Sequence, residues 1–253
     1  MVRNLLVRGM LAGLVAAALA LVFAWIFGEP QVGAAIALEE RLGHAAHGID
    51  PAHAVASPEP EPVSRGVQST LGLATAVGVY GVAIGGVFAL VFAFAYGRLG
   101  ALGARATAAV IALGAFVTVE LVPFLKYPPN PPAVGDPATI GRRTVVYFAL
   151  VLISILLAVA ALHIGRRLAP RYGTWNAVSL GLLAFLAAVT VVCVLMPAID
   201  EVPPDFPAVL LWRFRLASLG VQTVLWTGLG LLFGVLAERV LDPYRAPAHS
   251  PTA

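Results

Sequence analysis

A chain of 253 residues that is 60% hydrophobic and only 11% charged, with a net charge of +3, cannot cover a water-soluble core with polar surface. Its mean hydropathy of +0.90 makes lipid the solvent for most of it, and the predicted fold class is an all-α, polytopic helical membrane protein. The one cysteine, Cys193, excludes an internal disulfide framework and a CxxC metal site; Lys126, the only lysine, stands outside any Walker A loop, so no P-loop ATPase is encoded. No HExxH or GxSxG occurs, so no catalytic residues are expected, and neither an enzyme nor a nucleic-acid partner is predicted.

In chain order, the first apolar run covers 5–27, behind Arg3 and Arg8. A signal peptide is the rival reading, but its apolar core would be about 7–15 residues and this run is longer. It meets Gly28-Glu29-Pro30, which is expected to end the span. Residues 28–67 form the longest polar stretch, in which 33–48 reads as a short amphipathic helix and 50–64 as a mobile proline-rich segment. Five more apolar runs follow at 70–96, 105–125, 144–164, 176–196 and 216–236, each near the roughly 20 residues that cross a bilayer. Residues 1–242 are thus expected to be a single integral membrane domain of six spans, and 243–253 a disordered tail.

Six spans place both termini on one side. That side would carry Arg3, Arg8, Arg98, Arg105, Arg166, Arg167, Arg171, Arg239 and Arg245 against only Glu238 and Asp242. The opposite side carries Arg41, Arg65, Lys126, Arg142, Arg143, Arg213 and Arg215 with ten of the acids. Nine basic residues against seven is a modest difference, but the loops of the first side are the short ones and nearly free of acids, so both termini are expected in the cytoplasm and the 28–67 loop outside. The spans then pair as three hairpins in one orientation, a parallel repeat of the sort transporters use; the alternative is that any outer turn collects proline and charge. Gly9-x3-Gly13, Gly81-x3-Gly85 and Gly230-x3-Gly234 are spaced for close helix approach. Trp25, Trp212, Trp226, Tyr127, Tyr147 and Tyr172 lie toward span ends, where aromatic belts form.

Two turns carry the unusual chemistry: ELVPFLKYPPNPPAVGDPATIGRRT (120–144) and MPAIDEVPPDFPAVLLWRFRL (196–216). In each, a proline ends an apolar span (Pro123, Pro197), acids and Pro-Pro follow, and a pair of arginines opens the next span. Glu120 sits inside its span, where a carboxylate costs a few kcal/mol unless paired or wetted. It reads as an ion ligand or gate at the outer mouth, or as half of a structural ion pair with Lys126 or a following arginine. Asp136, Asp200, Glu201 and Asp205 face Arg142, Arg143, Arg213 and Arg215; they either lock the two turns together or gate a path between them. In the outer loop Glu40, His44 and His47 share one stripe of a helix, with His53 and Asp50 nearby. Imidazole with carboxylate suits Co, Ni, Zn or Cu, although histidines in an exposed loop are often only solvated. Cys193 and Met196 could offer soft ligands, but packing is the simpler role.

The two turns, KYPPNPPAVGDPATIGRRT and DEVPPDFPAVLLWRFRLASLGVQ, resemble the signature stretches of the CbtA family, the predicted cobalt transporter subunit. The resemblance runs over essentially the whole membrane portion. It implies a bacterial or archaeal inner-membrane protein for cobalt uptake linked to cobalamin synthesis, and a small single-span, histidine-bearing CbtB-like partner. It implies no permanently bound cofactor; cobalt or another divalent metal is the transported substrate. The family's histidine-rich first loop is represented here by His44, His47 and His53 alone. A non-transporting structural or assembly partner, or a transporter for another small solute, is the alternative.

Overall fold

The computed structural model describes residues 1–47 and 64–241. Among them every regular element is helical, as composition requires: α1 (Val2–Phe23), α2 (Glu29–His47), a single turn α3 (Arg65–Val67), α4 (Leu73–Ala95), α5 (Ala104–Ala115), α6 (Val122–Lys126), α7 (Ile140–Leu195) and α8 (Ala208–Leu241). Among the described residues five helical stretches are long and apolar enough to cross a bilayer: Val2–Gly43, Gln68–Ala95, Ala104–Lys126, Pro137–Leu195 and Ala208–Leu241. The expected spans at 144–164 and 176–196 fall together in α7, whose 56 residues are broken by non-helical backbone at Gly173 (φ 78°). The arms on either side of that glycine fold back on one another. A Cβ on Gly181 would lie 3.1 Å from the Ala161 carbonyl, and one on Gly165 would lie 3.3 Å from that of Ala177.

Two prolines expected at span ends lie inside continuous helices. α1 runs through a π-helical turn, Ala24–Gly28, into α2, so the helix passes Gly28-Glu29-Pro30 and continues to His47. α5 likewise runs through a π-helical turn, Phe116–Leu121, into α6, which contains Pro123. A proline inside a helix removes one backbone donor and crowds the carbonyl a turn earlier; a widened π turn just ahead of it relieves the crowding. Pro197 behaves as expected, since α7 stops at Leu195. The expected loop 28–67 is therefore helical at both ends, and its proline-rich segment, like the tail, lies outside the described residues.

The chain separates into two compact units. In the first (1–26, 60–113 and 220–253), α1 crosses α4 on facing glycines. A Cβ on Gly81 would lie 2.7 Å from the Gly13 carbonyl, and one on Gly85 would lie 3.0 Å from the Gly13 Cα. α8 packs on α5 through Gly230 and Gly234, against Ala112, Ala108 and Arg105. All three expected small-residue motifs thus sit at close helix crossings, where hydrocarbon on both sides leaves packing as the main attraction. Phe233 meets Phe92 and Phe88 edge-on at 5.0 and 5.3 Å. At one end Arg8 donates to the Leu236 carbonyl (2.9 Å), and Arg105 pairs with Glu238 (2.6 Å). Trp226, expected in an aromatic belt, is instead buried in this core.

The second unit (27–59 and 114–219) holds the π turn 116–121, α6, α7 and the start of α8. Val122, Leu150 and Phe185 form its centre, and Cys193 and Met196 pack against them.

Candidate functional site

Both proline-rich turns belong to the second unit, and they are bound to each other. Tyr127, following α6, donates its hydroxyl to the Pro197 carbonyl at 2.8 Å. Burial pushes its phenol above the usual range, helped by Cys193 and opposed by Arg142, which keeps it a neutral donor. Asp136 caps the 3-10 turn Pro137–Thr139 by accepting from the Ala138 amide (2.8 Å). Glu201 then clamps this capped turn from the other segment. One of its oxygens takes the Thr139 hydroxyl at 2.6 Å; the other takes the Asp136 amide at 2.9 Å and faces the Arg143 guanidinium at 3.3 Å. Arg143 also donates to the Asp136 carbonyl (3.1 Å). The Thr139 hydroxyl and the Asp136 amide, with Arg143 behind them, hold the Glu201 carboxyl below its ordinary range against the opposing pull of desolvation. Gly135 is required beside this clamp: its φ is 122°, and a Cβ there would lie 2.5 Å from Arg143 Nη1.

A second tie comes from α8. Arg215 donates to the Asn130 side-chain oxygen (2.9 Å) and to the Pro129 carbonyl (3.4 Å). The Pro-Pro-Asn-Pro-Pro segment has few amides of its own, so its free carbonyls suit an arginine donor. Between the two ties lies a cavity of about 400 Å³ lined by Tyr127, Asn130, Arg143, Tyr147, Asp200, Glu201 and Arg215 among others. Asp200 is exposed, acts electrostatically on Arg215, and makes no hydrogen bond among the described residues. It is the lining carboxylate left open to a ligand, whereas both Glu201 oxygens are engaged.

The π turn beneath the site follows from its sequence. The Val122 amide reaches back five residues to the Val117 carbonyl. In that pattern the Thr118 carbonyl would take the amide of residue 123, which is proline and has none. The Ser154 hydroxyl of α7 donates to it instead, and both residues are buried. Glu120 is carried in this turn, half-buried and close enough to Tyr147 to act on it electrostatically.

The structure thus joins Arg143, Asp200, Glu201 and Arg215 around one cavity, with Asp136 bonded to Glu201 and Arg143 behind its wall and Glu120 near its Tyr147 wall. Arg142, Arg213 and Asp205 are exposed and make no ion pair among the described residues. Glu40 is exposed on α2, whose backbone places His44 and His47 on the same face; the side chains of both histidines, and the whole of His53, lie outside the described residues. Among the described residues no group of three or more His, Cys, Asp or Glu side chains could hold a metal. Sequence reasoning missed Asn130, Thr139 and Ser154 as contacts. Asn130 alone had a signal, an amide held between two proline pairs.

A family model described as "Probable cobalt transporter subunit (CbtA)" matches residues 2–238. No curated protein and no solved structure matches the chain.

Proposed function

Because the chain belongs to the CbtA family of probable cobalt transporter subunits, we propose that it forms the membrane path by which a divalent cation, Co²⁺ first, enters the cell to supply cobalamin synthesis. The observation that supports this reading is the cavity between the proline-rich turns, which offers the open Asp200 carboxylate. Oxygen donors and water suit a hydrated divalent ion in passage, and an open carboxylate with few partners binds loosely enough to release it. Arg143, Glu201 and Arg215 hold the two turns as a gate, with Asp136 as its cap; Arg142, Arg213 and Asp205 form its charged rim, and Glu120 is the next carboxylate inward. Glu40, His44, His47 and His53 capture metal ahead of the mouth. The chain is one inner-membrane domain of six crossings, α7 supplying two, with both termini cytoplasmic and a CbtB-like subunit as partner.

A specific observation favours the second reading, a non-transporting assembly partner or a carrier of another solute. Arg143 and Arg215 line the same cavity, and guanidinium groups repel a bare cation. Uptake of limiting Co²⁺ by cells expressing this chain, with and without a small single-span histidine-bearing partner, separates the two. The transport reading expects uptake above the empty-vector level, lost in Asp200→Asn at unchanged protein level. Uptake at vector level in both strains overturns it.

A further inference from the structure

The bend of α7, far from both of its ends at the two turns, carries a feature that transport does not use. No Asp or Glu occurs between Asp136 and Asp200. Within that interval His163, Arg166, Arg167 and Arg171 stand at offsets of 0, 3, 4 and 8 on the first arm of α7. At about 100° per residue these positions span one face roughly 140° wide. All four residues are exposed. The opposite side of the arm is the one packed on its partner arm, through Gly165 against Ala177 and Ala161 against Gly181. Arg166, Arg167 and Arg171 make no ion pair among the described residues.

The depth of this face is set by the helix. Residues 144–165 separate Arg143 from Arg166, and at a rise of 1.5 Å each they extend about 33 Å, close to the roughly 30 Å hydrocarbon thickness of a bilayer. With Arg143 at one boundary, Arg166 and Arg167 reach the level of the phosphates at the other. Tyr172 and Trp175 follow at once, Trp175 being 82% exposed, and the Arg171 guanidinium lies 5.3 Å from the Tyr172 ring centroid. Exposed aromatic rings beside unpaired arginines mark a headgroup layer.

We propose that the basic face at 163–171, with Tyr172 and Trp175, is a docking surface for anionic phospholipid headgroups, the arginines holding lipid phosphates. The inference is independent of the cargo and of the gate. It is tested on the purified full chain in vesicles of phosphatidylcholine and phosphatidylglycerol, by the fraction of each spin-labelled lipid that the protein immobilises. Wild-type protein should favour phosphatidylglycerol by about fivefold, the weight of one arginine at an anionic surface, or more. The preference should fall toward unity in about 1 M salt, where screening lengths shrink to roughly 3 Å. R166Q/R167Q/R171Q should abolish it, and R166K/R167K/R171K should retain it. Equal immobilisation of the two lipids by wild-type protein overturns the proposal, as does a preference that the glutamine variant keeps. Full displacement of the labelled lipid by inorganic phosphate also overturns it, because the surface would then be a site for a soluble anion.

Discussion

Ser154→Ala tests the account of the π turn that carries Glu120. The substitution removes the donor to the Thr118 carbonyl, and Ser154 and Thr118 are 0% and 5% exposed, so neither water nor lipid headgroup can replace it. An unsatisfied buried carbonyl costs about 1–3 kcal/mol, while hydrogen bonds within membrane proteins average about 0.6 and reach about 1.7 kcal/mol. Complete burial places this one at the upper end, about 1–2 kcal/mol, or roughly a 5- to 30-fold shift in the unfolding equilibrium. The control is Pro123→Ala, which restores a backbone amide at position 123. The Thr118 carbonyl then finds a donor whether the turn stays π or reverts to α, so Ser154→Ala in that background should cost less than about 0.5 kcal/mol. Unfolding by SDS titration in mixed micelles, followed by tryptophan fluorescence, measures all four proteins. Equal cost of Ser154→Ala in both backgrounds refutes the reasoning.

At the glycine crossing, Gly85→Ala places a methyl 3.0 Å from the Gly13 Cα and should destabilise by about 1–3 kcal/mol, whereas Gly78→Ala enters open space and should stabilise slightly; matching unfolding midpoints would contradict the crossing. Arg143→Ala should reduce folded protein in the membrane, with partial recovery by the exchange Arg143→Glu/Glu201→Arg, while the exposed Arg142→Ala should leave yield unchanged. The Glu201 carboxyl is depressed in the folded state, so the stability it contributes is fully present above the unfolded value of about 4.3 and is lost only as pH falls through its lower folded value. Cobalt uptake that fades near pH 6.5 must therefore come from protonation elsewhere, and His44→Ala/His47→Ala should remove that step if the loop captures metal. Cysteines introduced at Ala46 and Ala248 should label oppositely from outside, Ala46 yes and Ala248 no; equal labelling would end the six-crossing topology.

The sequence alone was enough for the all-helical membrane class, because too few charges leave lipid as the only workable solvent and lipid admits only helices or closed barrels. It was enough for the glycine crossings, since an x3 spacing puts two small residues on one helix face whatever else the chain does. It also located the two turns, where charge and proline concentrate beyond what a span end needs, and supported the expectation that arginines of the first turn pair with acids of the second. It misplaced Pro30 as the end of the first helix and did not foresee the π turn that absorbs Pro123, because whether a proline stops a helix or is absorbed depends on who supplies the missing donor. For Pro123 that donor is Ser154, 36 residues away by its partner Thr118 and silent in any local pattern. The sequence also put both arginines of the first pair into the clamp. Only the turn geometry decided between them: adjacent helical residues point about 100° apart, so Arg143 reaches Glu201 and Arg142 faces out. The same limit applies to Asp200 and Glu201, identical in charge class and adjacent in sequence. Tertiary contacts with Thr139, Asp136 and Arg143 engage one carboxylate and leave the other open at the cavity wall.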